Sequence, residues 1–452
     1  MRTFGNLLAF SPELWLLAGA IVVFLQSRLM PRSSTTTVAL VSLVLAFLAL
    51  ATQFKQTITI LDGAFLLDGF AIFIQVVLLG AAALCLLAGG ADILPGESPA
   101  TAEPAFFLLA TLGAMLAASA AEMVSLFLAL ELLAINLYVL AGLARRGAGG
   151  ISAGLGYLVL GAASSAVLLY GLAVIFGLSG ETRLTAAGQA LAALHGTQPA
   201  LLLALCLVLA GFALRMGLLP VRWWTRGFET GVPPRVIMFA LSVGVAAAFA
   251  VFGRIAVSTF GGSHIPYAAV IAVVAALAMT SGNLLNLTQS TVRRLVVYSG
   301  IAQAGYGLVA FTDLKRAGIG ALLVFLTAMA LTSICAFAVI IAYARSVHTD
   351  AIRDLAGMSQ TTPGLAIASI RHSCHAPPRP GPCPWSVRWR APCSGRSTVS
   401  RATSRTAQAS PLDPFSTSTT RATTSSRWSG ARGRLGSTPQ PTRTTFRPAL
   451  SS

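Results

Sequence analysis

The sequence predicts an all-α polytopic membrane protein. Only 10% of its 452 residues are charged and 55% are hydrophobic, where a soluble domain carries about 25% charged residues. Eleven stretches approach the roughly 20 apolar residues that a spanning helix needs. None alternates polar with apolar residues. Backbone groups facing lipid must be paired internally, so these stretches are helices rather than barrel strands.

In order, the predicted spans cover residues 6–26, 37–53, 66–89, 105–121, 123–142, 154–178, 199–221, 235–257, 266–286, 293–312 and 317–344. The first has no small-x-small cleavage site and carries Glu13, so it reads as a retained helix rather than a removed signal. The fifth, MVSLFLALELLAINLYVLAG, holds Glu131 at its middle. An acid at that depth is costly and marks a functional position. The seventh contains Arg215 and ends MGLLPVRWW. Pro220 removes a backbone donor and crowds the preceding turn. That stretch has two readings. Either a charge stands beside a broken helix, as in transporter ion sites, or Pro220 ends the span and Arg215 snorkels.

Loop charges orient the chain. With the N-terminus outside, the inner loops hold Arg28, Arg32, Arg145, Arg146, Arg222, Arg226, Arg235, Arg293, Arg294, Arg345 and Arg353. The outer loops hold Lys55, Arg183, Arg254, Lys315 and Arg316. That excess follows the positive-inside rule.

The net charge of +17 points to no nucleic acid. Residues 370–452 contain thirteen Arg and one acid, Asp413, and so supply twelve of those charges. This tail is rich in Arg, Pro, Ser and Thr and has no periodicity, which predicts disorder. Its residues are also those that GC-rich codons specify in a shifted frame. The preceding DLAGMSQTTPGLAIAS opens another membrane helix that stops in mid-pattern. A frameshift and a genuine basic tail are the two readings of that break. Cys374, Cys383 and Cys393 with His372 and His375 match no zinc spacing. Cys85, Cys206 and Cys335 sit in apolar helices as inert thiols.

Six stretches in order resemble a known family. They are LLDGFAIF (66–73), ATLGAMLAASAAEMVSLFLALELLAINLYVLAG (110–142), LVLGAASSAVLLYGLAVIFGLSG (158–180), AGFALRMGLLPVRWWTRGFETGVPP (210–234), SGNLLNLTQSTVRRLVVYSGIAQAGY (281–306) and DLAGMSQTTPGLA (354–366). Together they resemble subunit N of bacterial NADH-quinone oxidoreductase, respiratory complex I, whose relatives include cation-antiporter subunits. The resemblance implies an antiporter-like fold of fourteen helices with inverted five-helix repeats, here truncated to about eleven. It divides the chain into N-terminal helices (1–104), a first repeat with its broken helix at 199–221 (105–257), an incomplete second repeat (258–369) and the tail (370–452). It implies a multi-pass protein of the bacterial inner membrane that assembles with the other membrane-arm and peripheral-arm subunits. It implies no cofactor in this chain. NADH, a quinone, flavin and iron–sulfur clusters would serve the complex through other subunits, and the sequence carries no P-loop, dinucleotide fingerprint or cluster-type Cys run.

Buried Lys and Glu residues form the proton path that the resemblance implies. Glu131 fits the family's intramembrane acid. Its partners depart from the pattern. Gly156 and Val245 stand where the family has Lys, and Gln303 stands where it has His. Arg215 replaces the Lys of the broken helix, and Pro220-Val221-Arg222 replaces Pro-Phe-His. The helix that would carry the late Lys begins near residue 363 and is missing. An arginine does not release its proton at neutral pH, so Glu131 and Arg215 read as a fixed ion pair rather than a relay. Three functions follow. The chain is a translocase subunit with an impaired proton path, a structural or decayed paralogue, or a cation/proton antiporter subunit.

Overall fold

A computed structural model of the chain describes residues 9–29, 31–54, 57–89, 101–143, 148–193, 198–218, 232–262, 265–347 and 352. Twelve helices lie among them: α1 (Ser11–Gln26), α2 (Arg32–Ala51), α3 (Gly69–Gly89), α4 (Glu103–Ser119), α5 (Met123–Leu143), α6 (Ala148–Ser179), α7 (Leu184–Ala193), α8 (Gln198–Arg215), α9 (Pro234–Phe260), α10 (Tyr267–Asn286), α11 (Val292–Val309) and α12 (Arg316–Val347). The chain divides into two units, Met1–Ser386 and Val387–Ser452. The second lies outside the described residues, and so do His372, Cys374, His375, Cys383 and Cys393 and both readings of the tail's origin.

Eight of these helices are long and apolar enough to cross a membrane. The other three predicted spans appear as shorter apolar helices, α1, α4 and α8, each with a local cause. The described chain enters α1 one residue before Pro12, at Ser11. Helix α4 starts on Glu103-Pro104 and stops where Ala120 turns extended to bridge Phe65. Helix α8 stops at Arg215. The short α7 escapes a search for spans because it is only 10 residues long. It buries Leu184, Ala187, Gly188 and Leu191, a stripe at helical spacing. The sequence reading also missed a hairpin of β1 (Ile58–Ile60) and β2 (Phe65–Leu67). Its strands are three residues each, too short for alternation to register.

Helix ends meet at two levels. At one level the hairpin, the α4–α5 junction and the α6–α7 junction converge. Phe65 bridges Ala120, Glu122 bridges Arg183, and Arg183 donates to the Asp62 carbonyl. There Arg254 near the end of α9 grips Asp68 at the start of α3, with Nη2–Oδ1 at 2.9 Å. At the opposite level Glu103 accepts from Arg32 at 2.9 Å and from Arg235 at 2.7 Å. Arg183 and Arg254 thus share one level and Arg32 and Arg235 the other, the same grouping as in the loop charges.

Helix α9 forms the centre. Its apolar window is 89% buried, and Phe239, Phe249, Phe252 and Phe260 are fully enclosed. Phe252 meets Phe212 of α8 and Phe311 edge-on, at 5.7 and 4.9 Å between centroids. Ala240–Gly244 and Ala256–Phe260 are wound as π-helix. Such segments are rare and recur at functional sites. Lipid offers no hydrophobic drive between helices, so close packing of this kind holds the bundle.

Candidate functional site

The site forms where α5, α6 and α8 meet. Glu131 lies eight residues into α5, about 12 Å from its start at 1.5 Å per residue. Ser165 faces it from α6, and Arg215 ends α8. The sequence explains why α8 ends there. Gly217 adopts φ +70°, which a glycine tolerates and other residues resist. Leu218 N–H donates to Ala213 O at 2.6 Å and Gly217 N–H to Leu214 O at 3.1 Å. These two bonds are the Schellman closure of a helix. The described helix therefore closes at Gly217, while Pro220, Val221 and Arg222 lie outside the described residues. A cation in the last turn also complements the negative end of the helix dipole.

A close approach sets the geometry. A Cβ on Gly211 would stand 2.6 Å from Leu168 Cβ, so only glycine lets α8 lie this near α6. Ser164 Oγ donates to the Gly211 carbonyl at 2.5 Å. One helical turn later, Arg215 Nη2 donates to Glu131 Oε1 at 2.5 Å and to Ser165 Oγ at 2.6 Å. Ser165 Oγ–H donates to the same Oε1 at 2.6 Å. Arg215 Nη1 reaches the Leu130 carbonyl at 3.3 Å. The three side chains form a closed triangle.

Beside it lies a small cavity lined by Leu137, Tyr138, Tyr157, Gly161, Arg215 and Gly244, among others. It holds about 40 Å³ of room for water, enough for on the order of three molecules. Arg215 Nε is buried without a protein partner among the described residues. Tyr138 and Tyr157 pack edge-on at 5.0 Å.

The structure brings Glu131 and Arg215 into contact. It places the other marked positions elsewhere. Gly156 is exposed, with open space where a Cβ would point. Val245 is buried on α9 but outside the cavity lining. Gln303 is half-buried on α11 and also outside that lining. Ser165 was not foreseen. Its signal was the adjacent pair Ser164-Ser165 inside an otherwise apolar helix. The Arg32–Glu103–Arg235 and Arg254–Asp68 clusters carry no signal in the sequence beyond isolated charges near helix ends. Among the described residues no three His, Cys, Asp or Glu side chains group as metal ligands.

Comparison with known proteins gives this architecture a context. Residues 120–371 match the family model described as NADH:quinone oxidoreductase/Mrp antiporter, transmembrane. The chain is 36% identical over 306 residues to NAD(P)H-quinone oxidoreductase subunit 2 of Synechococcus sp., covering 68% of this chain and 58% of that one. It is 32% identical over 383 residues to NADH-quinone oxidoreductase subunit N of Moorella thermoacetica, covering 83% and 80%. Among solved structures it resembles a chain of respiratory complex I from Thermus thermophilus with bound aureothin. That likeness has a TM-score of 0.65 and 27% identity, over 80% of this chain and 78% of that one.

Proposed function

The chain belongs to the NADH:quinone oxidoreductase/Mrp antiporter transmembrane family, and from that premise we propose that it is a membrane-arm subunit of a proton-translocating NADH-quinone oxidoreductase whose own proton path is impaired. In this reading it sits in the bacterial inner membrane, embedded in lipid beside the other membrane-arm and peripheral-arm subunits. NADH, flavin and iron–sulfur clusters belong to those other subunits, and quinone is met through the complex. Residues 105–257 form the first repeat and 258–369 the incomplete second.

The observation that carries the reading is the triangle of Glu131, Ser165 and Arg215 beside the Gly217 break. A lysine at that break could pass its proton on when desolvated. A guanidinium keeps its charge and its fork of donors. The pair then acts as a fixed dipole inside the membrane. It can respond to a neighbouring charge by shifting the Ser165 hydroxyl and cavity water, but it transfers no proton of its own.

The test places the chain in a host complex that lacks its own subunit N and measures protons moved per electron in inverted vesicles. NADH–quinone activity with a lowered stoichiometry is the expected result. Full stoichiometry overturns the impairment. A rise on Arg215→Lys assigns the loss to that side chain. Two other readings have their own support. The family description also names the Mrp antiporter, and sodium-dependent proton movement without NADH would favour it. Gly156, Val245 and Gln303 support a decayed paralogue, for which the complex would fail to assemble.

A further inference from the structure

Besides Glu103, another buried acid lies outside both the triangle and the stretch that matches the family model. Glu13 is in the first turn of α1 and is 7% exposed; Gln75 of α3 is fully buried. Gln75 Nε2 donates to Glu13 Oε1 at 3.1 Å and to the Met115 carbonyl at 3.2 Å. Glu13 Oε2 and Gln75 Oε1 are buried with no protein partner among the described residues.

The helices around Glu13 bring no charge to its depth. Helix α2 carries only Arg32 and α4 only Glu103, and these bond each other at the opposite level. Helix α3 has no charged residue, and Asp68 just before it is held by Arg254. An ionised carboxylate here would have the Gln75 amide and its own backbone N–H as donors and, among the described residues, no counter-ion. The helix N-terminus favours a negative charge only modestly, while burial of an unpaired ion opposes it far more strongly. A hard metal cation asks for about six oxygens, and the Gln75 amide N–H already occupies one side of this carboxyl.

We propose that Glu13 and Gln75 form a proton-holding site, with Glu13 resident as the neutral carboxylic acid inside the membrane and Gln75 fixing its carbonyl oxygen. The proton rests on Oε2, and Oε1 accepts from the amide. This site is independent of Arg215 and Glu131.

Infrared difference spectroscopy of the full chain in lipid tests it. The spectrum of the unmodified chain minus that of Glu13→Gln at neutral pH should show one protonated-acid C=O stretch, shifted in D2O. Gln75→Leu should move that band to higher frequency by removing its hydrogen bond, and this variant still reads Glu13 if Glu13→Gln fails to accumulate. A pair of carboxylate bands in place of the acid band, or a carboxylate band that moves with sodium, overturns the proposal. An acid band unmoved by Gln75→Leu overturns the role of Gln75. None of these readouts depends on proton pumping, so each outcome stands apart from the subunit reading.

Discussion

Replacing Arg215 by leucine and Glu131 by glutamine, singly and together, measures what the central pair contributes. Arg215 bonds Glu131 at 2.5 Å and Ser165 at 2.6 Å. A hydrogen bond to a charged group contributes about 1.5–3 kcal/mol. Glu131 leaves 24% of its side chain exposed and Arg215 10%. Solvent screening therefore places the coupling in the lower part of that range, about 2 kcal/mol. Arg215→Leu strands a partly buried carboxylate on Ser165 alone and should cost about 3 kcal/mol. Glu131→Gln keeps a carbonyl acceptor for Arg215 and should cost about 1 kcal/mol. If the two side chains act through each other, the double variant should cost about 2 kcal/mol rather than the additive 4.

The assay is reversible unfolding of the purified chain in mixed micelles, followed by circular dichroism. A coupling of about 2 kcal/mol changes the unfolding constant about 30-fold relative to additivity. Costs that add to within about 0.5 kcal/mol would mean that the side chains do not interact. The fixed-dipole account of the site would then fail.

Two further substitutions probe the frame that holds this pair. Glu103→Gln should destabilise more than any single change at the triangle, by about 3 kcal/mol or above in the same unfolding assay, because one buried acid neutralises two guanidinium groups. Gly211→Ala and Gly244→Ala should part in sign. The first drives a Cβ to 2.6 Å from Leu168 and should cost about 1–3 kcal/mol by overpacking. The second meets Leu137 at an ordinary 3.5 Å and should gain up to about 1 kcal/mol of helix propensity; equal effects in that assay would refute the close approach of α6 and α8.

What the sequence made legible follows from how strongly each feature is written into it. The spans show because lipid imposes a length and a composition on every one. Glu131 shows because a lone acid in an apolar run has no bland explanation of equal weight. The closure of α8 at Gly217 is harder to read than Pro220 because a proline is a loud breaker and a glycine a quiet one. Met-Gly-Leu-Leu-Pro holds both, and φ +70° at the glycine shows that the described helix closes there. Ser165 was hidden because small polar residues are common in membrane helices. The π segments of α9 left no trace in composition, since Ala240–Gly244 reads as ordinary helix. The Glu103 and Asp68 clusters join residues 71 to 186 positions apart, and no local pattern encodes such a pairing.

Those two clusters also say where the membrane lies. Arg235 and Arg254 sit near opposite ends of α9, one on Glu103 and the other on Asp68. Nineteen residues of helix separate them, about 28 Å at 1.5 Å per residue. That matches a hydrocarbon core of about 30 Å. Each cluster therefore stands near one end of the span, where Arg235 and Glu103 are enclosed by protein and neutralise each other. The pair of Glu131 and Arg215 lies between those levels, about 12 Å along α5 by the same rise per residue, with only the small cavity beside it to offer water. Its closed triangle is the form a charge must take at that depth. An arginine keeps that triangle intact, while a lysine that gave up its proton would open it. On the proposed reading, the same arginine that withholds its proton also holds Glu131 and Ser165 together.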